Sequence, residues 1–114
     1  MKLLKILLIL LLVIGVSFSV AIAAKHTPQE RGKILFNDPK FAGGSKSCNE
    51  CHPNGKGLEN ASLKQEFKIM GKTLKNMEEA VNFCIEKANK GKPIDVKSQQ
   101  MKDIVSYINS LTPR

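Results

Sequence analysis

The sequence predicts a small all-α domain, and three observations carry that prediction. Three segments place apolar residues at a 3.6-residue period behind recognisable helix caps. No stretch alternates apolar and polar residues as a half-buried strand would, and no internal repeat or low-complexity tract breaks the chain. At 114 residues and 12.6 kDa there is room for one domain at most.

The elements follow in order. Residues 1–24 are expected to be a secretory signal peptide rather than part of the fold: Lys2 and Lys5 give a positive start, Ile6 to Val20 is apolar, and Ala21-Ile22-Ala23 forms a small-x-small cleavage site. An uncleaved anchor is the rival, since Ile6 to Ala24 is long enough to span a bilayer as a helix. Both readings export residues 25–114, in a bacterium to the periplasm, and only the second ties them to a membrane.

Thr27-Pro28-Gln29-Glu30 is a capping box with proline at the first helical position, so a helix should run from Pro28 to about Phe36, with Gly32, Leu35 and Phe36 facing inward. Asn37-Asp38-Pro39 stops it. From Phe41 to Thr73 the chain is rich in glycine and polar residues and reads as loop, with one short helix near Leu63 to Met70. A second long helix opens behind Asn76, with Glu79 three residues on. Its apolar face is Met77, Ala80, Val81, Cys84, Ile85 and Ala88, and Gly91 and Pro93 end it. A third starts after Ser98 and buries Met101, Ile104, Val105, Ile108 and Leu111 before Pro113.

Composition narrows the function. The formal charge is +8, from 18 Lys plus Arg against 10 Asp plus Glu, but the lysines are spread singly, which argues against a nucleic-acid footprint. Past residue 24 there is no Trp, one Tyr (Tyr107) and four Phe, a thin apolar set for about 90 residues. Such a domain needs a staple: a metal, a disulfide or a cofactor. The cysteine count is three, so a closed disulfide framework would leave one thiol over.

Cys48-Asn49-Glu50-Cys51-His52 supplies the staple. Two cysteines separated by two residues and followed at once by histidine form the attachment signature of haem c. One helical turn presents Cys48 and Cys51 to the two vinyl groups on one porphyrin edge, and His52 swings beneath the ring as proximal iron ligand. A zinc site would need a second ligand pair, for which the chain offers only Cys84 and His26 outside the motif, and a redox dithiol would normally sit in a βαβ unit. One covalent haem c is therefore expected.

On these residues the chain resembles the class I c-type cytochromes. Gly32 and Phe36 on the first helix and Tyr107 on the last match that family's contact between terminal helices, and the resemblance implies that the helices wrap the edge of one haem.

The distal ligand decides the function. Ordinary family members use a methionine before the last helix, commonly followed by proline, and no Met-Pro occurs here. Met101 is near the usual region but begins an apolar stripe, where a Met usually packs as core. Met70 precedes Gly71 in the loop, and His26 lies beside the cleavage site. Cys84 is the fourth candidate: a small buried hydrophobe in the ordinary case, yet an unpaired thiol in an exported chain suggests a partner or a ligand. Asn82-Phe83-Cys84, Gly91-Lys92-Pro93 and Ser98-Gln99-Gln100-Met101 resemble the cysteine-ligated haem domains of thiosulfate dehydrogenases and of a cytochrome component of the sulfur-oxidising complex. That resemblance implies Cys84 as distal ligand, with Met101 as core. The layout is also similar to small His/Cys cytochromes of anammox bacteria, which pair as heterodimers and bind nitric oxide.

Three functions are thereby set against one another. A His/Cys protein would transfer electrons at low potential or bind a diatomic gas such as NO or CO, as one half of a pair with a second small c-type cytochrome. A His/Met protein would be an electron shuttle of ordinary potential. A component of a sulfur-oxyanion oxidoreductase would need a cationic clamp at the site, and beyond residue 24 the arginines are Arg31 and Arg114, with Lys92 beside the turn.

Overall fold

The computed structural model describes Lys2 and residues 26–114; the rest of the expected signal peptide lies outside the described residues. Within residues 26–114 four helices follow in chain order: α1 (Pro28–Asn37), α2 (Cys48–Cys51), α3 (Met77–Lys87) and α4 (Gln99–Ser110). Single 3₁₀ turns at Phe41–Gly43, Pro53–Gly55 and Ala61–Leu63 shape the loops, and two short strands, β1 (Phe67–Ile69) and β2 (Lys72–Leu74), precede α3.

Each long helix starts where its cap residue predicts. The Glu30 N–H donates to Thr27 Oγ1 at 3.2 Å and the Thr27 N–H to Glu30 Oε2 at 2.7 Å, which satisfies two donors that the first turn of α1 would leave free. Asn76 caps α3 by accepting from the Glu79 N–H at 2.8 Å, and Ser98 caps α4 by accepting from the Met101 N–H at 3.2 Å.

The core forms where α1 crosses α4. A Cβ built on Gly32 would lie 1.9 Å from the Asp103 carbonyl oxygen and 2.8 Å from Tyr107 Cβ, so the two backbones meet at a separation that no other residue permits. Beside this contact Phe36 and Tyr107 pack edge to face, with ring centroids 5.0 Å apart and planes at 64°. Phe36, Ile85, Met101 and Ile104 are fully buried, each contributing about 1.5–3 kcal/mol of transfer free energy. The expected contact between the terminal helices is thus present. The fold is small and mostly helical, as the capped periodic segments predict.

One local expectation is corrected. Residues 63–70 form no helix: the 3₁₀ turn at Ala61–Leu63 leads into an antiparallel hairpin with Phe67 opposite Leu74, Lys68 opposite Thr73 and Ile69 opposite Lys72. The two turn residues, Met70 and Gly71, have φ of +49° and +77°, the left-handed pair that a two-residue hairpin turn requires. Phe67 and Leu74 are buried beneath the hairpin, so burial of one strand face selects the extended form.

Candidate functional site

The site begins with α2, a single turn. Ser47 caps it, and the carboxylate of Glu50 in its third position accepts from the Ser47 N–H, an S-x-x-E capping pattern that overlaps the cysteine motif. The turn closes when the His52 N–H donates to the Cys48 carbonyl at 3.0 Å. Cys48 is half-buried and Cys51 exposed.

His52 is oriented by its own loop. Its Nδ1 lies 3.0 Å from the Lys56 carbonyl oxygen, which can only accept, so Nδ1 carries the proton and Nε2 is left with a free lone pair. The 3₁₀ turn at Pro53–Gly55, closed by the Gly55 N–H donating to the His52 carbonyl at 2.8 Å, brings the Lys56 carbonyl within reach. This is the arrangement that fixes tautomer and ring orientation in a metal-ligating histidine.

Cys48 and His52 line a cavity of about 260 Å³ whose other walls are largely apolar. Phe36 comes from α1, Phe67 from β1, Ala80 and Val81 from α3, and Ile104 and Ile108 from α4. Cys84 on α3 lines the same cavity. Burial pushes the Cys48 and Cys84 thiols up, so without a cofactor both are protonated. Among the described residues no three His, Cys, Asp or Glu side chains come together to hold a metal ion, so the motif lacks the second pair that a structural zinc would require. Cys51 is exposed and does not line the cavity, but the Cys48 thiol, the imidazole of His52 and the apolar walls do fit a flat hydrophobic macrocycle held at its edge.

The other sequence-derived candidates lie elsewhere. Met101 is 1% exposed in the core and borders a separate open groove with Lys102 and Val105. Met70 is 74% exposed at the hairpin turn. His26 is exposed, with Nδ1 3.7 Å from Glu30 Oε2. Met77, read from the sequence only as part of an apolar face, does line the cavity. It sits two turns before Cys84 on the same side of α3, a relation the i, i+7 spacing already contained. Two charged side chains, Lys64 and Lys68, border the cavity as well.

A family model described as the SoxA/TsdA cytochrome c domain matches residues 31–113, from α1 to beyond the end of α4, with the cysteine motif and Cys84 inside the match. The chain belongs to this family. It is a class I c-type cytochrome that binds one haem c covalently and serves in haem electron transfer. No curated protein and no solved structure matches the chain.

The position of the arginines bears on what the cytochrome can bind. Arg31 donates from Nε to Asp103 Oδ2 and from Nη2 to Asp103 Oδ1, both at 2.8 Å, and from Nη1 to the His26 carbonyl at 2.7 Å. Its fork is engaged in a structural clamp, and Arg114 borders the open groove rather than the cavity. Lys92, in the turn after α3, is exposed and does not line the cavity either.

Proposed function

We propose that this cytochrome is an exported His/Cys-ligated haem protein that works at low potential. Cys48 and Cys51 carry the two thioether links, His52 is the proximal ligand through Nε2, and Cys84 is the distal ligand. The observation that supports this most is that Cys84 lines the cavity shared by Cys48 and His52, whereas Met101, Met70 and His26 do not.

When bound, haem c supplies a one-electron iron couple whose potential follows its axial ligands. The residues act on that couple in one direction. The hydrogen bond from Nδ1 to the Lys56 carbonyl makes the His52 imidazole more basic, and a Cys84 thiolate adds a full negative charge within apolar walls. Both favour the oxidised state. Release of Cys84 on reduction would leave room beside α3 for a diatomic gas such as NO or CO. The lysine excess, with Lys64 and Lys68 at the cavity, suits an acidic redox partner, and a second small c-type cytochrome forming a heterodimer is the partner we propose.

Met77 gives a His/Met reading its own specific support, since it is the methionine that borders the cavity. Electron paramagnetic resonance of the ferric holoprotein separates the two. Cys84→Ala should abolish the low-spin thiolate signal, with Met77→Leu and Met101→Leu leaving it in place; a signal lost only in Met77→Leu would establish a shuttle cytochrome instead. A sulfur-oxyanion oxidoreductase finds no arginine at the cavity, and thiosulfate should therefore fail to reduce the haem.

A further inference from the structure

Asn89 lies just past the C-terminal end of α3 and is 5% exposed, the kind of buried amide that must find partners. It finds three, on two different parts of the site. Its side-chain Nδ2 donates to Cys48 Sγ at 3.5 Å. Its backbone N–H donates to the Cys84 carbonyl at 3.0 Å, sharing that oxygen with the Ala88 N–H, and its own carbonyl accepts from the Ser45 N–H at 2.9 Å.

We infer that Asn89 is a positioning residue that locks the haem-attachment segment to the helix carrying the distal sulfur. The inference rests on Cys48 attachment and Cys84 ligation as proposed above. Ser45 and Cys48 belong to the segment that leads into and forms α2, while the Cys84 carbonyl belongs to the last turns of α3, so one residue ties both to a single rigid point. The approach is close: a Cβ on Gly44 would lie 2.9 Å from the Asn89 carbonyl oxygen, and the Lys92 N–H continues the contact by donating to the Ala42 carbonyl at 2.9 Å. Chain segments more than 40 positions apart are thereby held by backbone bonds on both sides of the amide.

A thioether sulfur keeps a lone pair after attachment, so the amide N–H can still point at it. With haem c attached, a donor at that sulfur would draw electron density from the thioether, and it would tie Cys48 to the end of α3. The two backbone bonds survive any replacement of the side chain, which makes the sulfur contact separable from the clasp as a whole.

The test compares the holoprotein with Asn89→Leu, which keeps the branched shape and loses the donor, and Asn89→Gln, which keeps the amide on a longer stem. Asn89→Ala replaces the leucine variant should the latter not fold. Removal of the donor should lower the reduction potential and shift or broaden the ferric low-spin signal, and Asn89→Gln should restore part of both. Potentials and spectra unchanged in a folded, donor-free variant would overturn the inference, as would glutamine and leucine variants displaced alike. Cys84→Ala measured in parallel keeps the two ideas apart: if that change leaves the ferric signal intact the distal assignment fails, whereas a signal sensitive to Cys84 and indifferent to Asn89 rejects only the role of the Asn89 side chain at Cys48.

Discussion

Asp103 is the residue on which the α1–α4 contact depends electrostatically. It is 3% exposed, yet its carboxylate is fully engaged, taking both bonds of the Arg31 fork and a third from Gln99 Nε2 at 2.9 Å. The Arg31 bonds hold its pKa below the ordinary carboxylate value, against the opposing effect of burial. The folded state therefore binds the proton less tightly than the unfolded chain. That contribution to stability is complete above the unfolded value, about 4, and is lost as pH falls through the lower folded value. Asp103→Asn should cost about 1.5–3 kcal/mol at pH 7, the range for hydrogen bonds to a charged group, with the exposed side of Arg31 favouring the lower end. Thermal melts below pH 4 check the sign: the wild-type Tm should fall more steeply with acid than that of the variant, and parallel slopes would remove Asp103 from the acid response.

At the scale of elements, the helices show why caps and period are informative: Thr27, Asn76 and Ser98 each sit one residue before a helix that then buries its apolar stripe. Gly32→Ala should cost about 3 kcal/mol, because the added methyl collides with backbone at Asp103 rather than with a side chain able to turn away. For a domain of this size that is of order 10–20 °C in Tm, and a loss below about 2 °C would mean that the helices can slide apart. The hairpin was illegible for a physical reason. Three residues per strand give one and a half periods of alternation, and the turn carries Met70 where Asn is the usual residue. Met70→Asn should therefore stabilise the protein by about 0.5 kcal/mol, since it eases a positive φ at a position that is 74% exposed, while leaving the haem spectrum unchanged. The Arg31–Asp103 clamp and the Asn89 contacts were equally hidden, because no local pattern pairs residues 72 or 41 positions apart.

The whole molecule is organised around the cavity, and the cysteine motif alone names the group such a cavity suits, because its spacing is specific to haem c while the walls come from residues with no shared local pattern. Those walls draw on all four described helices and one strand, with Phe36 from α1, Cys48 from α2, Phe67 from β1, Cys84 from α3 and Ile104 from α4. Helices from both ends of the chain thus share the surface that a haem would fill. At about 24 cal/mol per Å³, leaving some 260 Å³ unfilled costs roughly 6 kcal/mol, an upper bound because the cavity is open on one side and water can enter. That is comparable with the entire 5–15 kcal/mol by which domains are ordinarily stable. Cys48→Ser combined with Cys51→Ser should thus give a chain that keeps much of its far-ultraviolet helical signal but loses near-ultraviolet dichroism, binds a hydrophobic dye and melts without a sharp transition. The holoprotein should melt cooperatively, as ligand-linked stability requires. A double variant with a sharp, wild-type-like transition would show instead that the α1–α4 contact at Gly32, Phe36 and Tyr107 suffices to specify the fold, and that the haem enters a structure already made.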